Sequence, residues 1–189
     1  MYQLTVVGRA AHAGLEPENG INATIEIAKV IPLISALSRP EIGTTVTPTV
    51  LISGTTTNTV PGLAVLDVDV RAKSAIEQVR VDSEIREIKG ELGDFKWSGE
   101  INRPPLEEKA SRSLYELAEI SATKLGLPPI GQASVGGASD GNFVAAKGIA
   151  TIDGIGAVGG GAHARDEWAS IKGMVERSEL LAEMIRALL

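Results

Sequence analysis

The chain has 189 residues, a net charge of −6 and 43% hydrophobic residues, a composition typical of a globular protein with one large or two small domains. Only 3% of the residues are aromatic and no block of Lys and Arg occurs, so nucleic acid is not an expected partner. The absence of cysteine excludes disulfides and thiolate metal sites, and any bound metal must therefore use His and carboxylate ligands.

The sequence predicts no membrane-spanning helix, because no uninterrupted apolar run reaches about 18 residues. A signal peptide with a basic start and an apolar centre is also absent, which leaves the cytoplasm as the default expectation. Strand-forming residues follow Met1 at once, and we therefore expect this chain to be a truncated polypeptide.

The first half of the chain alternates between strand and helix patterns in the order β-α-β-β-α-β. Strands are predicted over residues 2–9, 44–53, 63–71 and 94–103, and amphipathic helices over residues 21–37 and 75–92. The apolar positions taken to face the core are Ile25, Ala28, Ile31 or Val30, Ile34 and Leu37 in the first helix and Ile76, Val79, Ile85, Ile88 and Leu92 in the second. Pro32 should kink or restart the first helix. This order predicts an α+β ferredoxin-like domain over residues 1–103, with a four-stranded antiparallel sheet and both helices on one face.

After Pro104 and Pro105 the pattern becomes that of an α/β segment, assigned to residues 104–189. Helices are predicted over residues 111–125, 140–147 and 172–189, and short strands over residues 132–135 and 149–152. Two strands are too few for a stable parallel sheet that is covered on both faces. We therefore expect this α/β segment to be incomplete, and to be the less stable half of the chain.

The chain has only two histidines, His12 and His163, and both lie in loops of small residues. Imidazole is a common metal ligand and acid–base group, although a surface histidine in such a loop is an equally good interpretation of the local sequence. Asn58 is in a turn and Arg71 ends a strand, where both residue types occur without any function. Gly136, Gly137 and Ser139 precede a short helix and either bind an anion or form an ordinary turn.

One histidine cannot bind zinc alone, and none of the common spacings of histidine and acidic ligands occurs in this chain. The motifs become specific only when they are taken together and in order. They are Gly8-Arg9-Ala10-Ala11-His12-Ala13-Gly14, Gly20-Ile21-Asn22-Ala23, Asn58-Thr59-Val60-Pro61-Gly62, Asp69-Val70-Arg71, Gly136-Gly137-Ala138-Ser139-Asp140 and Gly161-Ala162-His163. This series resembles the M20 family of zinc metallopeptidases, and the glutamate carboxypeptidase branch most closely.

The resemblance implies a hydrolase with two zinc ions in its catalytic domain and an inserted ferredoxin-like lid that forms a homodimer. Residues 1–103 resemble the lid, and residues 104–189 resemble the C-terminal part of the catalytic domain. The other part of that domain, with the general base and most metal ligands, has no counterpart in this chain. The isolated chain should therefore be inactive and its zinc sites empty. The implied substrate is a small peptide or N-acyl amino acid, from which a C-terminal residue such as glutamate is released.

The resemblance also implies a role for each candidate residue. His12 would stabilise the oxyanion, often in the partner subunit's active site, and His163 would be a metal ligand. Asn58 and Arg71 would bind the terminal carboxylate of the substrate, helped by Gly136, Gly137 and Ser139. Ala138 departs from the usual glycine-rich loop, while Ser139 keeps the hydroxyl.

Two alternatives remain open for a chain without a full ligand set. The first is a non-enzymatic dimerisation or interaction module, and the second is a ferredoxin-like sensor of small molecules.

Overall fold

The alternating apolar residues at the N-terminus form strand β1 (Tyr2–Val7), which buries every second side chain. The computed structural model describes all 189 residues, which divide into the units Met1–Pro104 and Pro105–Leu189. The first unit contains, in chain order, β1, β2 (Ala11–His12), α1 (Ala23–Ser35), β3 (Thr45–Ser53), β4 (Thr59–Val60), β5 (Leu63–Arg71), α2 (Ala75–Glu87) and β6 (Asp94–Gly99). It is therefore an α+β unit.

Four of these strands form one sheet in the order β3-β5-β1-β6, and every neighbouring pair is antiparallel. In the register of the two central strands, Leu4 lies opposite Leu66 and Tyr2 opposite Val68, so their buried side chains share one face. Both helices contribute to the same core, α1 through Ile27 and Ile34 and α2 through Val81 and Ile85. They consequently cover the same face of the sheet.

The first helix is not interrupted at Pro32. Helix α1 continues through Pro32, where a kink or restart was predicted. Pro32 removes one backbone donor, but the residue four positions earlier, Ala28, is exposed, so water can bind its carbonyl.

The predicted core-facing positions of the helices are also partly wrong. Ile25 and Ala28 of α1, Ile76 and Val79 of α2, and Leu92 beyond the end of α2 are exposed. The buried apolar residues are Ala23, Ile27, Val30 and Ile34 in α1 and Val81 and Ile85 in α2. Both helices carry apolar residues on more than one side, so periodicity alone could not identify the side that faces the sheet.

Most of the regular secondary structure of the second unit is helical. It contains α3 (Glu108–Lys124), α4 (Gly141–Ala145), β7 (Gly159–Gly160), β8 (Trp168–Ala169) and α5 (Ile171–Leu188). Its small core lies between α3 and α5 and consists of Ala118, Ala122, Leu180 and Met184. Lys124 also forms an ion pair with Glu183, which joins the same two helices.

The predicted strands over residues 132–135 and 149–152 are absent, and both segments are irregular. A strand requires hydrogen bonds to a neighbouring strand, and neither segment has one in this structure. The sheet of this unit is instead an antiparallel pair of two-residue strands, β7 and β8. The parallel α/β arrangement predicted for residues 104–189 is therefore not formed in this unit.

None of the helices is both long enough and apolar enough to cross a lipid bilayer.

Candidate functional site

Three loops of the first unit meet around His12, and backbone hydrogen bonds join them. The Gly8 N–H donates to the Gly62 carbonyl at 2.9 Å, and Arg9 and Ile21 exchange two hydrogen bonds of 2.9 and 3.0 Å. We call this assembly the histidine platform and define it as residues 8–14, 20–23 and 58–62. Three of the six sequence motifs are thus parts of one connected structure.

The glycines of the histidine platform allow these backbones to approach each other. A Cβ atom on Gly8 would lie 2.2 Å from the Ile21 carbonyl oxygen, and one on Gly62 would lie 2.9 Å from the Ala10 nitrogen. A Cβ atom is essentially never found closer than 3.0 Å to such an atom, so larger residues at these positions would separate the loops. The small residues around His12 therefore serve close packing of the backbone.

The platform brings His12 and Asn58 together. Strands β2 and β4 pair in antiparallel fashion with His12 opposite Thr59, and the Ala13 N–H donates to the Asn58 carbonyl at 2.9 Å. Both His12 and Asn58 are exposed. The His12 ring is also held by its own turn, because its Nδ1 atom accepts hydrogen bonds from the backbone N–H groups of Gly14 at 3.1 Å and Leu15 at 3.2 Å.

Arg71 lies at the other end of the sheet. Strand β5 begins at Leu63, directly after the platform, and ends at Arg71. At about 3.3 Å per residue, the eight steps between them place Arg71 roughly 26 Å from the start of the strand. The structure therefore does not bring Arg71 together with His12 and Asn58 within one copy of the chain.

The guanidinium of Arg71 is already engaged. Its Nε donates to the Asp69 carboxylate at 2.8 Å, and this hydrogen bond raises the pKa of Arg71 above its ordinary value. The side chain remains 60% exposed. Asp69 was part of the sequence motif, but its role in orienting Arg71 was not predicted.

The glycine-rich loop of the second unit is exposed and irregular. Cβ atoms on Gly136 and Gly137 would meet nothing within 4 Å, so packing inside this unit does not require glycine at either position. Ser139 is held from both sides, because its N–H donates to the Asn142 side-chain oxygen at 2.9 Å and its hydroxyl accepts from the Gly141 N–H at 3.2 Å. Asn142 is buried, and no sequence signal indicated that it fixes this loop.

His163 lies in the loop between β7 and β8 and is exposed. It has a φ of 65° and is the one residue other than glycine with a positive φ. A left-handed conformation of this kind costs on the order of 1 kcal/mol and is found often at functional positions. The β7–β8 pair and a 2.8 Å hydrogen bond from the Ala164 N–H to the Gly161 carbonyl hold the loop in place.

The residues of this chain do not by themselves fit a zinc site. No three His, Asp or Glu side chains come close enough together to hold a metal ion, and the chain has no cysteine. Asp166 and Glu167 follow His163 in the sequence without completing a ligand set. A structural or catalytic zinc ion needs at least three protein ligands.

Known proteins resemble this chain in sequence and in fold. The family model described as "Peptidase dimerisation domain" (M20) matches residues 1–94. The uncharacterized protein YqjE of Bacillus subtilis is 29% identical over 95% of this chain, and the match covers 49% of YqjE.

Two solved structures show the same fold. Aminopeptidase PepT from Bacillus cereus is 23% identical with a TM-score of 0.74, and the match covers 97% of this chain and 50% of PepT. A tripeptidase from Staphylococcus aureus is 23% identical with a TM-score of 0.71, and the match covers 99% of this chain and 50% of the tripeptidase. The chain thus spans about half the length of the proteins that it matches.

Proposed function

Residues 1–94 match the family model of the M20 peptidase dimerisation domain, and on this basis we propose that the chain is part of a hydrolase that cleaves an amide bond. The observation that carries the proposal is the histidine platform, in which three motifs of M20 type form one connected assembly. We propose as substrate a small peptide or N-acyl amino acid that loses its C-terminal residue. Glutamate is the first candidate for that residue, because the motif series resembles the glutamate carboxypeptidase branch.

We infer that the first unit belongs to the ferredoxin-like class. Numbered by their order in the chain, the four strands of the sheet lie in the order second, third, first and fourth. The alternation β-α-β-β-α-β and the position of both helices on one face also support this class.

We propose that two copies of the chain associate through helix α1 and strand β3. Strand β3 is an edge of the sheet, and its Val50, Leu51 and Ile52 are all exposed. Helix α1 packs beside β3 and exposes Ile25 and Leu33. A free strand edge next to exposed apolar side chains is typical of a surface that another chain covers.

The separation of the candidate residues also favours a dimer. One amino-acid-sized substrate cannot contact Arg71 and His12 of the same copy when a strand of about 26 Å lies between them. We therefore propose that Arg71 of one copy and the His12 and Asn58 of the other act on one substrate. In this arrangement His12 donates to the carbonyl oxygen that gains negative charge, and Arg71 binds the substrate carboxylate.

Zinc is proposed as the cofactor of the whole protein. His163 would supply one ligand, and the remaining ligands would come from residues outside this chain. Gly136, Gly137 and Ser139 remain proposed substrate-binding residues on the basis of their motif. The 189-residue chain alone should consequently show no hydrolysis, with or without added zinc.

Hydrolysis of tripeptides and N-acyl amino acids by the whole gene product, supplied with zinc, tests the proposal. His12→Ala should lower kcat and Arg71→Ala should raise KM. Arg112→Ala is the matched control, because Arg112 is an exposed arginine that pairs only with Glu108 of its own helix. A whole product that cleaves neither class of substrate would overturn the proposal. Analysis of the released amino acid tests the glutamate assignment separately.

Sedimentation of the 189-residue chain tests the association surface. Ile52→Lys places a charge on the exposed edge strand and should shift a dimer to a monomer. Ile76→Lys is the matched control, since Ile76 is exposed on α2 and lies outside the proposed surface. If wild-type chain is monomeric at high concentration, the association proposal is wrong.

A non-enzymatic dimerisation module is the second candidate function. The observation that favours it is the match of residues 1–94 to the model of a dimerisation domain. A whole gene product that forms the dimer but hydrolyses no substrate would support this second candidate.

A further inference from the structure

We propose that the backbone amides of Gly14 and Leu15 fix the His12 imidazole in the tautomer that carries its proton on Nε2. Gly14 and Leu15 would then be positioning residues, and His12 would be a hydrogen-bond donor prepared before any substrate binds. The role of that donor in hydrolysis rests on the proposed function, whereas the tautomer itself is a property of this chain.

The geometry of the turn carries the inference. Nδ1 of His12 lies 3.1 Å from the Gly14 nitrogen and 3.2 Å from the Leu15 nitrogen, and both backbone groups donate to it. A ring nitrogen that accepts a hydrogen bond cannot also carry a proton. In the other tautomer, a proton on Nδ1 would point at two N–H groups and both hydrogen bonds would be lost. The single proton of the uncharged ring therefore resides on Nε2.

The surrounding backbone fixes the positions of the His12 ring and the two amides relative to each other. The Ala13 N–H is bound to the Asn58 carbonyl at 2.9 Å, and the Glu16 N–H closes the turn on the His12 carbonyl at 3.2 Å. The α-carbon of Gly14 also lies beside the ring, since a Cβ atom there would be 3.7 Å from Cε1 of His12. The turn after His12 is thus anchored on both sides of the two donating amides.

A fixed tautomer decides which chemistry His12 can perform. With Nδ1 occupied by the backbone, only Nε2 is available to a ligand, and the uncharged ring offers a donor there. Such a group suits an oxygen that gains negative charge during a reaction, because the donor is oriented in advance. An uncharged His12 in this tautomer cannot act as a general base, since its remaining lone pair is already used.

Long-range ¹H–¹⁵N correlation spectra at pH 8 test the proposal directly on the 189-residue chain. Only two histidines contribute signals, and the variant His163→Gln assigns them. The ratio of the Nε2–H tautomer to the Nδ1–H tautomer is measured for each histidine. Because two hydrogen bonds favour the Nε2–H form of His12, this ratio should be about tenfold or more higher at His12 than at exposed His163. Equal tautomer ratios at the two histidines, or a proton on Nδ1 of His12, would overturn the proposal.

Removal of one amide provides a second measurement. Leu15→Pro deletes one N–H donor and should move the His12 ratio toward that of His163, while Leu15→Ala keeps the donor and should leave the ratio unchanged. Should Leu15→Pro fail to fold, the wild-type spectrum still decides. Both measurements are independent of catalysis, so inactivity of the whole gene product would leave this inference intact.

Discussion

Replacement of Glu26 by glutamine should destabilise the first unit, because it removes a buried charge that joins helix α1 to the segment before β6. Glu26 is 3% exposed, and one of its carboxylate oxygens accepts from the backbone N–H groups of Glu91 and Leu92 at 3.0 Å each. Its other oxygen binds Lys29 at 2.7 Å. Each charge-assisted hydrogen bond that becomes a neutral one lowers the free energy of unfolding by about 1 kcal/mol. The two bonds to the backbone therefore predict a loss of about 2 kcal/mol.

Urea denaturation followed by circular dichroism measures this loss as a lower midpoint with an unchanged slope. Glu91→Gln is the matched control, because Glu91 is exposed and pairs only with Lys29 through its side chain, and it should cost about 0.5 kcal/mol or less. Equal midpoints for the two variants would refute the reasoning. The hydrogen bond to Lys29 lowers the pKa of Glu26, so its stabilisation is present above the unfolded pKa and is lost as the pH falls through the folded pKa. The difference in free energy of unfolding between wild type and Glu26→Gln should therefore decrease below about pH 4.

Three further predictions concern stability and are measured by denaturation of the 189-residue chain. Gly8→Ala should cost about 2 kcal/mol or more because of its backbone clash, whereas Gly136→Ala, at an open position, should stay within about 0.5 kcal/mol of wild type. Ser170→Ala removes the side-chain cap of α5 and should cost about 1 kcal/mol, with the loss seen as faster hydrogen exchange in that helix. The hydrogen bond from Arg80 lowers the pKa of Glu77 to about 2. The stabilisation that the Glu77 carboxylate contributes should be present above about pH 4.5 and disappear as the pH falls toward 2. Wild type and Glu77→Gln should therefore have similar free energies of unfolding near pH 2. A difference in stability between wild type and Glu77→Gln that persists at pH 2 would contradict this role of the Glu77 carboxylate.

The six long segments of the first unit could be predicted from the sequence because their signals are local. From Leu66 to Arg71, strand β5 alternates apolar and polar residues, as expected of a strand with one buried face. Ser74 is the N-cap of helix α2, and its hydroxyl accepts from the Glu77 N–H, a capping pattern that is contained within four residues. The order of the six motifs could also be recognised in the sequence, and this order indicated the resemblance to peptidases.

Features that depend on distant partners could not be predicted in this way. The segments over residues 132–135 and 149–152 have strand composition but no neighbouring strand, and composition cannot supply one. Helix α1 has apolar residues on two sides, and only its packing on the sheet decided that Ile27 is buried while Ile25 is exposed. Ile25, which the sequence pattern assigned to the core, instead contributes to the proposed association surface.

The candidate site was likewise predictable from the sequence only in part. The sequence by itself determined which residue types recur in which order, and so it identified His12, Asn58 and Arg71 as candidates. Only the tertiary structure decided that His12 and Asn58 are neighbours and that Arg71 lies at the far end of β5. The physical reason is that hydrogen bonds between residues far apart in the chain, such as that from Gly8 to Gly62, determine these distances. No local pattern of residues encodes such a bond.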